Sequence, residues 1–206
     1  MNELELIMRL EDTDWKDTDA LNRLGAYYVQ WGEYDMAVDI FERLLLLAVD
    51  DDERANRFYS LGTVMEKKGE FQQATGFYRK CLAGKPRDAA VRYFANNNLG
   101  FSLNKLGRFH EAETYLEQAI MIAPGMSNAY KNLGICCQGL GRLGQAARLF
   151  IEATKANPRD GRSVELLETL FDEHPEMLER EPGLKDDLES CRKVVAAVEK
   201  NKPVVH

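Results

Sequence analysis

The sequence has no long hydrophobic run. Its longest apolar stretch, LLLLAV from Leu44 to Val49, falls far short of the roughly 18 residues that a membrane-spanning helix needs. It also has no basic surplus. Lys and Arg number 27 against 34 Asp and Glu, a formal net charge of -7, which argues against sequence-independent binding to nucleic acid or to an anionic membrane. The N-terminus, MNELELIMRLEDTD, lacks the charged-then-apolar layout of a secretion signal, with three acidic residues and one arginine ahead of Asp12. These absences predict a cytoplasmic chain with no nucleic-acid or membrane partner.

Reactive side chains are scarce. The four cysteines form no CxxC pair. Cys136 and Cys137 are adjacent, and neighbours on a helix point about 100° apart, so the two do not share a metal from that segment alone. Cys81, Cys136, Cys137 and Cys191 therefore read as small buried hydrophobes. The three histidines, His110, His174 and His206, have no Ser, Cys or carboxylate at a motif spacing. No strand-like alternation precedes a glycine loop that would cradle phosphate. The expectation is a protein that is not an enzyme and has neither cofactor nor metal.

What the chain does contain is helical period. Of its 206 residues 45% are hydrophobic and 30% charged, as in an ordinary folded domain. The clearest stretch is Ser127 to Asp160, SNAYKNLGICCQGLGRLGQAARLFIEATKANPRD. It reads as two amphipathic helices around a turn at Gly141, with Tyr130, Leu133, Gly134, Cys137, Ala146, Phe150 and Pro158 at set positions. Related spacings recur at Leu21, Leu24, Gly25, Tyr28, Ala37 and Phe41, then at Phe58, Leu61, Gly62, Met65, Ala74, Tyr78 and Pro86. They recur again at Leu99, Gly100, Leu103, Ala112, Leu116 and Pro124.

This pattern resembles that of the tetratricopeptide repeat family, W-x2-L-G-x2-Y, then A-x3-F, then P. The resemblance implies an all-α fold: a right-handed α-solenoid of antiparallel helix pairs with N- and C-terminal capping helices. Four repeats are expected at 18–51, 55–88, 93–126 and 127–160. Residues 1–17 read as a capping helix, 161–200 as a partial fifth repeat with a final capping helix, and 201–206 as a disordered tail. The pattern glycines lie 37, 38 and 34 residues apart by subtraction of their numbers, and only the last interval is the standard repeat length. Three or four extra residues amount to about one helical turn, so helices lengthened at their N-termini are expected to start near Asp52 and near Asp88. Val49 stands where the first repeat would have proline, so its second helix is expected to run on toward Asp50.

In the family, the inner face of each first helix receives a peptide from a partner protein. Carried over by register, that face includes Asn22 and Arg23 in the first repeat, Asn56, Tyr59, Thr63 and Glu66 in the second, and Phe94, Asn97, Asn98, Phe101 and Asn104 in the third. The fourth contributes Asn128, Lys131, Asn132, Ile135 and Gln138, extended by Arg162. Asn98 and Asn132 share the slot before Leu-Gly, with Asn97 and Asn128 nearby. An amide donates and accepts at once, so a ladder of them suits a peptide backbone; a solvated or intramolecular role is the alternative. Phe94 and Phe101 lie two turns apart on one side, where they would anchor an apolar side chain while Lys105, Lys131 and Arg162 meet a carboxylate. Phe94 packed between helices is the other reading. Ile135, Arg23 and Ser60 occupy positions where chaperone-binding members carry asparagine, which argues against that clamp. The function implied is a non-catalytic adaptor or scaffold binding a partner protein or peptide, with a self-assembling homo-oligomer or a regulatory subunit as alternatives.

Overall fold

The computed structural model describes residues 17–200, so the expected N-terminal capping helix and the 201–206 tail lie outside the described residues. The described chain is all-α: α1 Thr18–Trp31, α2 Tyr34–Leu47, α3 Asp51–Lys68, α4 Phe71–Ala83, α5 Ala89–Lys105, α6 Phe109–Ile122, α7 Ser127–Gly139, α8 Leu143–Ala156, α9 Arg162–Glu173, α10 Glu176–Arg180 and α11 Gly183–Lys200. None of these helices is long and apolar enough to cross a membrane.

The turns between paired helices share one device. Gly32, Gly69, Gly107 and Gly141 adopt φ of 81°, 79°, 71° and 73°, the left-handed region that glycine enters without a Cβ clash. At Gly69 the glycine N–H donates to the Glu66 carbonyl and the Glu70 N–H reaches back to the Met65 carbonyl at 2.8 Å, which satisfies carbonyls left open at the end of α3. The residue that then starts each second helix is apolar: Tyr34, Phe71, Phe109 or Leu143.

The chain forms two compact units, one ending at Ser102 and one starting at Leu103, with the boundary inside α5. In the first unit α1 packs on α2, α2 on α3 and α3 on α4; in the second, consecutive helices from α6 to α9 pack in sequence and α11 closes on α8 and α9. In three of the pairs the first helix offers a glycine and the second an aromatic. A Cβ on Gly25 would come within 2.8 Å of the Phe41 ring, one on Gly62 within 2.6 Å of Tyr78 and one on Gly134 within 2.4 Å of Phe150. Ala37, Ala74, Ala112 and Ala146 are fully buried on the second helices.

The long repeat intervals are absorbed as expected: α3 has 18 residues and α5 has 17, against 13 in α7, with starts at Asp51 and Ala89. The expected run of α2 toward Asp50 is corrected. It stops at Leu47, with Ala48 extended at ψ 121°. The stop comes from the next helix: Asp50 Oδ1 accepts from the Glu53 N–H, and Glu53 Oε2 accepts from the Val49 N–H. This reciprocal capping pins the chain as a proline would. α11 buries Leu184, Leu188 and Cys191 and leaves most of its other described residues exposed.

Gly134→Ala is expected to lower unfolding stability by about 1 to 3 kcal/mol through overpacking against Phe150. Gly76→Ala, where a Cβ meets nothing within 4 Å, should raise it by roughly 0.5 to 1 kcal/mol. Urea unfolding of both variants reads the contrast, and equal effects would contradict the close-approach argument.

Candidate peptide-contact faces

In the first unit, packing fixes the polar chemistry. Tyr78 is fully buried because its ring fills the space over Gly62, so its hydroxyl needs partners inside. It donates to Glu66 Oε2 at 2.9 Å and accepts from Asn98 Nδ2 at 3.3 Å. Asn98 Oδ1 in turn accepts from Asn97 Nδ2 at 2.9 Å, and the Tyr59 ring leans on Tyr78 at 6.0 Å between centroids. Burial pushes the Glu66 carboxyl and the Tyr59 phenol above their ordinary values, and burial together with the Glu66 charge pushes Tyr78 far up.

The expected residues therefore fall into classes. Asn97 is buried, whereas Asn98 and Tyr59 are half-buried. Phe101 is half-buried edge-on to Phe71, 6.1 Å away, and Phe94 is exposed at the edge of Tyr93.

In the second unit the bases already face a carboxylate. Lys131, 7% exposed, puts Nζ 2.5 Å from Asp160 Oδ2. Arg162 grips the same carboxylate in a fork, Nε to Oδ1 at 2.7 Å and Nη2 to Oδ2 at 2.8 Å. Arg162, helped by Lys131, holds the Asp160 carboxyl well below the usual range despite its burial. Asn132 is buried, and its carbonyl accepts from Asn104 Nδ2 at 2.8 Å. Asn128 and Lys105 are exposed, Ile135 is half-buried, and Gln138 donates to Glu173. The sequence reading missed Asp160, although the tripeptide Pro-Arg-Asp at 158–160 repeats the one at 86–88.

The cysteines are packing residues. All four are buried. Burial pushes the Cys81 thiol up to about 11 and, with the Cys137 and Glu113 charges, the Cys136 thiol up to about 12. Cys136 Sγ donates to the Phe109 carbonyl at 3.0 Å. Thiols held this far from ionisation are poor nucleophiles and poor metal ligands at neutral pH.

An acid whose folded-state value is depressed contributes stability above its unfolded value, here 3.8, and loses it as pH falls through the folded one. Asp160→Asn leaves the Lys131 ammonium buried without its counter-charge and is expected to cost roughly 2 to 4 kcal/mol at pH 7. The gap to wild type should narrow as pH falls below about 4. Urea unfolding across pH tests this, and a gap independent of pH would refute it.

Two family models, both described as tetratricopeptide repeat, match residues 20–55 and 92–159, together about half of the chain. Among curated proteins, the CTR9 homolog of Arabidopsis thaliana is 25% identical over 147 residues, 70% of this chain and 13% of that protein. The Hsp70-Hsp90 organising protein of Plasmodium falciparum is 26% identical over 108 residues, 52% of this chain and 41% of that one. The chain thus spans less than half the length of either relative. Three solved structures show the same fold. MamA 41-end from Desulfovibrio magneticus RS-1 superposes with TM-score 0.66 and 18% identity, covering 90% of this chain and 97% of that one. PilF of Pseudomonas aeruginosa gives 0.68 and 24%, over 87% and 75%. YrrB gives 0.64 and 19%, over 95% and 97%. With glycine–aromatic contacts at Gly25, Gly62 and Gly134, and with both family models matching, the chain belongs to the tetratricopeptide repeat family.

Proposed function

We propose that this chain is a non-catalytic protein-interaction adaptor, with repeats at 18–51, 55–88, 93–126 and 127–160, that receives a peptide segment of a partner on the first helices of those repeats. Family membership supports the general role of a protein-interaction adaptor. The finer reading rests on Asn98. Its amide is oriented by Asn97 on one side and Tyr78 on the other, yet the residue is half-exposed. An amide carries two N–H donors and two acceptor sites; the donors of Asn98 meet Tyr78 and Tyr59, and with Asn97 on one acceptor site the other remains for a peptide N–H. Tyr59 beside it, and Phe94 and Phe101 on α5, offer aromatic surface for side chains, the kind of anchor that dominates peptide binding. YrrB, which shares the fold, is described as a TPR protein with an unusual peptide-binding site, in line with peptide binding on this architecture.

The test is selection from a displayed random-peptide library, followed by affinity measurement on the enriched sequences. Asn98→Ala should weaken binding by roughly fivefold or more, the equivalent of about 1 kcal/mol for one hydrogen bond, with little change in melting temperature. Selected peptides that bind the variant as tightly as wild type would remove Asn98 from the site. A library that yields no enriched peptide would overturn the peptide reading itself.

A further inference from the structure

On the face that carries Asn98 there is a carboxylate that the peptide contact so far leaves unused. Glu66 is half-buried on α3, seven residues and so about two helical turns beyond Tyr59 on one side of that helix. Its Oε2 accepts from the Tyr78 hydroxyl at 2.9 Å. Tyr78 is itself fully buried, so the carboxylate is tethered to the packed interior.

Glu66 lacks a counter-charge. Among the described residues no Lys, Arg or His forms an ion pair with it, and the positive charge that acts on it is that of Lys67, its exposed neighbour in sequence. Side chains one residue apart on a helix diverge by about 100°. Asp160 in the second unit is the contrast, because Lys131 and Arg162 both sit on its oxygens. The Asp160 carboxyl is accordingly held low, whereas burial pushes the Glu66 carboxyl up. A half-buried carboxylate with hydroxyl donors and no cation is stabilised by one that arrives from outside.

The residues around Glu66 narrow what that cation can be. Tyr59, Thr63, Asn98 and Phe101 are half-buried and uncharged, and the Tyr59 ring, 6.0 Å from that of Tyr78 between centroids, offers a surface on which a cation can rest. Glu66 Oε2 and Asn98 Nδ2 share the Tyr78 hydroxyl, so a backbone held at Asn98 brings its own side chains within reach of Glu66. A carboxylate has about four lone-pair sites, and the bond from Tyr78 leaves room for an ammonium or guanidinium N–H.

We propose that the peptide received on this face carries a lysine or arginine whose positive head pairs with Glu66. This rests on the peptide reading of the same face and adds the class of side chain that the face takes. Asn98 meets the backbone and Glu66 meets one side chain, so the two contacts are separable.

The test selects one displayed random-peptide library on wild type and on Glu66→Gln, both as full chains. Gln still accepts the Tyr78 hydroxyl, so an unchanged melting temperature is expected and separates lost recognition from lost fold. Peptides enriched on wild type should share Lys or Arg at one fixed position, and that preference should vanish on Glu66→Gln. A selected peptide should bind Glu66→Gln roughly tenfold or more weakly, as for loss of a hydrogen bond to a charged group. Its analogue with norleucine for the lysine, or citrulline for the arginine, should bind both proteins equally. Glu42→Gln, which removes an exposed acid on α2, controls for attraction to the overall charge of -7 and should leave affinity unchanged. Equal losses in Glu42→Gln and Glu66→Gln, or a basic peptide that binds Glu66→Gln as tightly as wild type, would overturn the proposal. Enriched peptides without a shared basic position would overturn it while leaving the Asn98 contact intact. A library that yields no enriched peptide would remove both.

Discussion

The structure depends on a missing side chain. At Gly25, Gly62 and Gly134 a first helix leaves room for Phe41, Tyr78 and Phe150 of the second helix to lie against its backbone, with fully buried alanines close by on the second helices. Aromatic rings on glycine set how near the helices of a pair approach, and that approach decides which faces remain for other work. Tyr78 shows how directly packing reaches the polar face. The ring is held by Gly62, so the hydroxyl has one place to go, and Glu66 and Asn98 are arranged around it. The order seen at Asn98 is thus a consequence of the same close contact that defines the repeat.

Charge is organised against the average of the chain. An acidic protein would be expected to present carboxylates along its polar faces. In the second unit Lys131 and Arg162 instead enclose the Asp160 carboxylate, and Arg159 stands beside them. Lys131 is almost wholly buried, and an ammonium in that position persists only with a partner at short range. The ion pair is therefore a structural element first.

Much of this was legible in the residues. The glycine, alanine and aromatic slots reveal helix pairs because they are steric requirements, and a steric requirement leaves a fixed spacing. The intervals of 37 and 38 residues likewise located the longer α3 and α5, since added residues of about one turn extend a helix most simply. Other features escaped for physical reasons. The stop of α2 at Leu47 comes from side chains that cap the following helix, Asp50 and Glu53, rather than from any residue of α2. The partners of Asn98 and Lys131 lie 20 and 29 residues away. Spacing places such residues on a face, but only three-dimensional packing tells that Lys131 points at Asp160 or that Asn132 is buried.

The central claim is that ring packing on a glycine positions the amide proposed to meet a partner. Tyr78→Phe isolates it, because the ring over Gly62 stays while the hydroxyl that orients Asn98 goes. The measurement is the affinity of a selected peptide for Tyr78→Phe, with the Asn98 side-chain amide resonances recorded on the same sample. A folded protein, displaced Asn98 amide resonances and an affinity loss similar to that of Asn98→Ala are expected. Wild-type affinity in a variant whose Asn98 resonances have moved would contradict it.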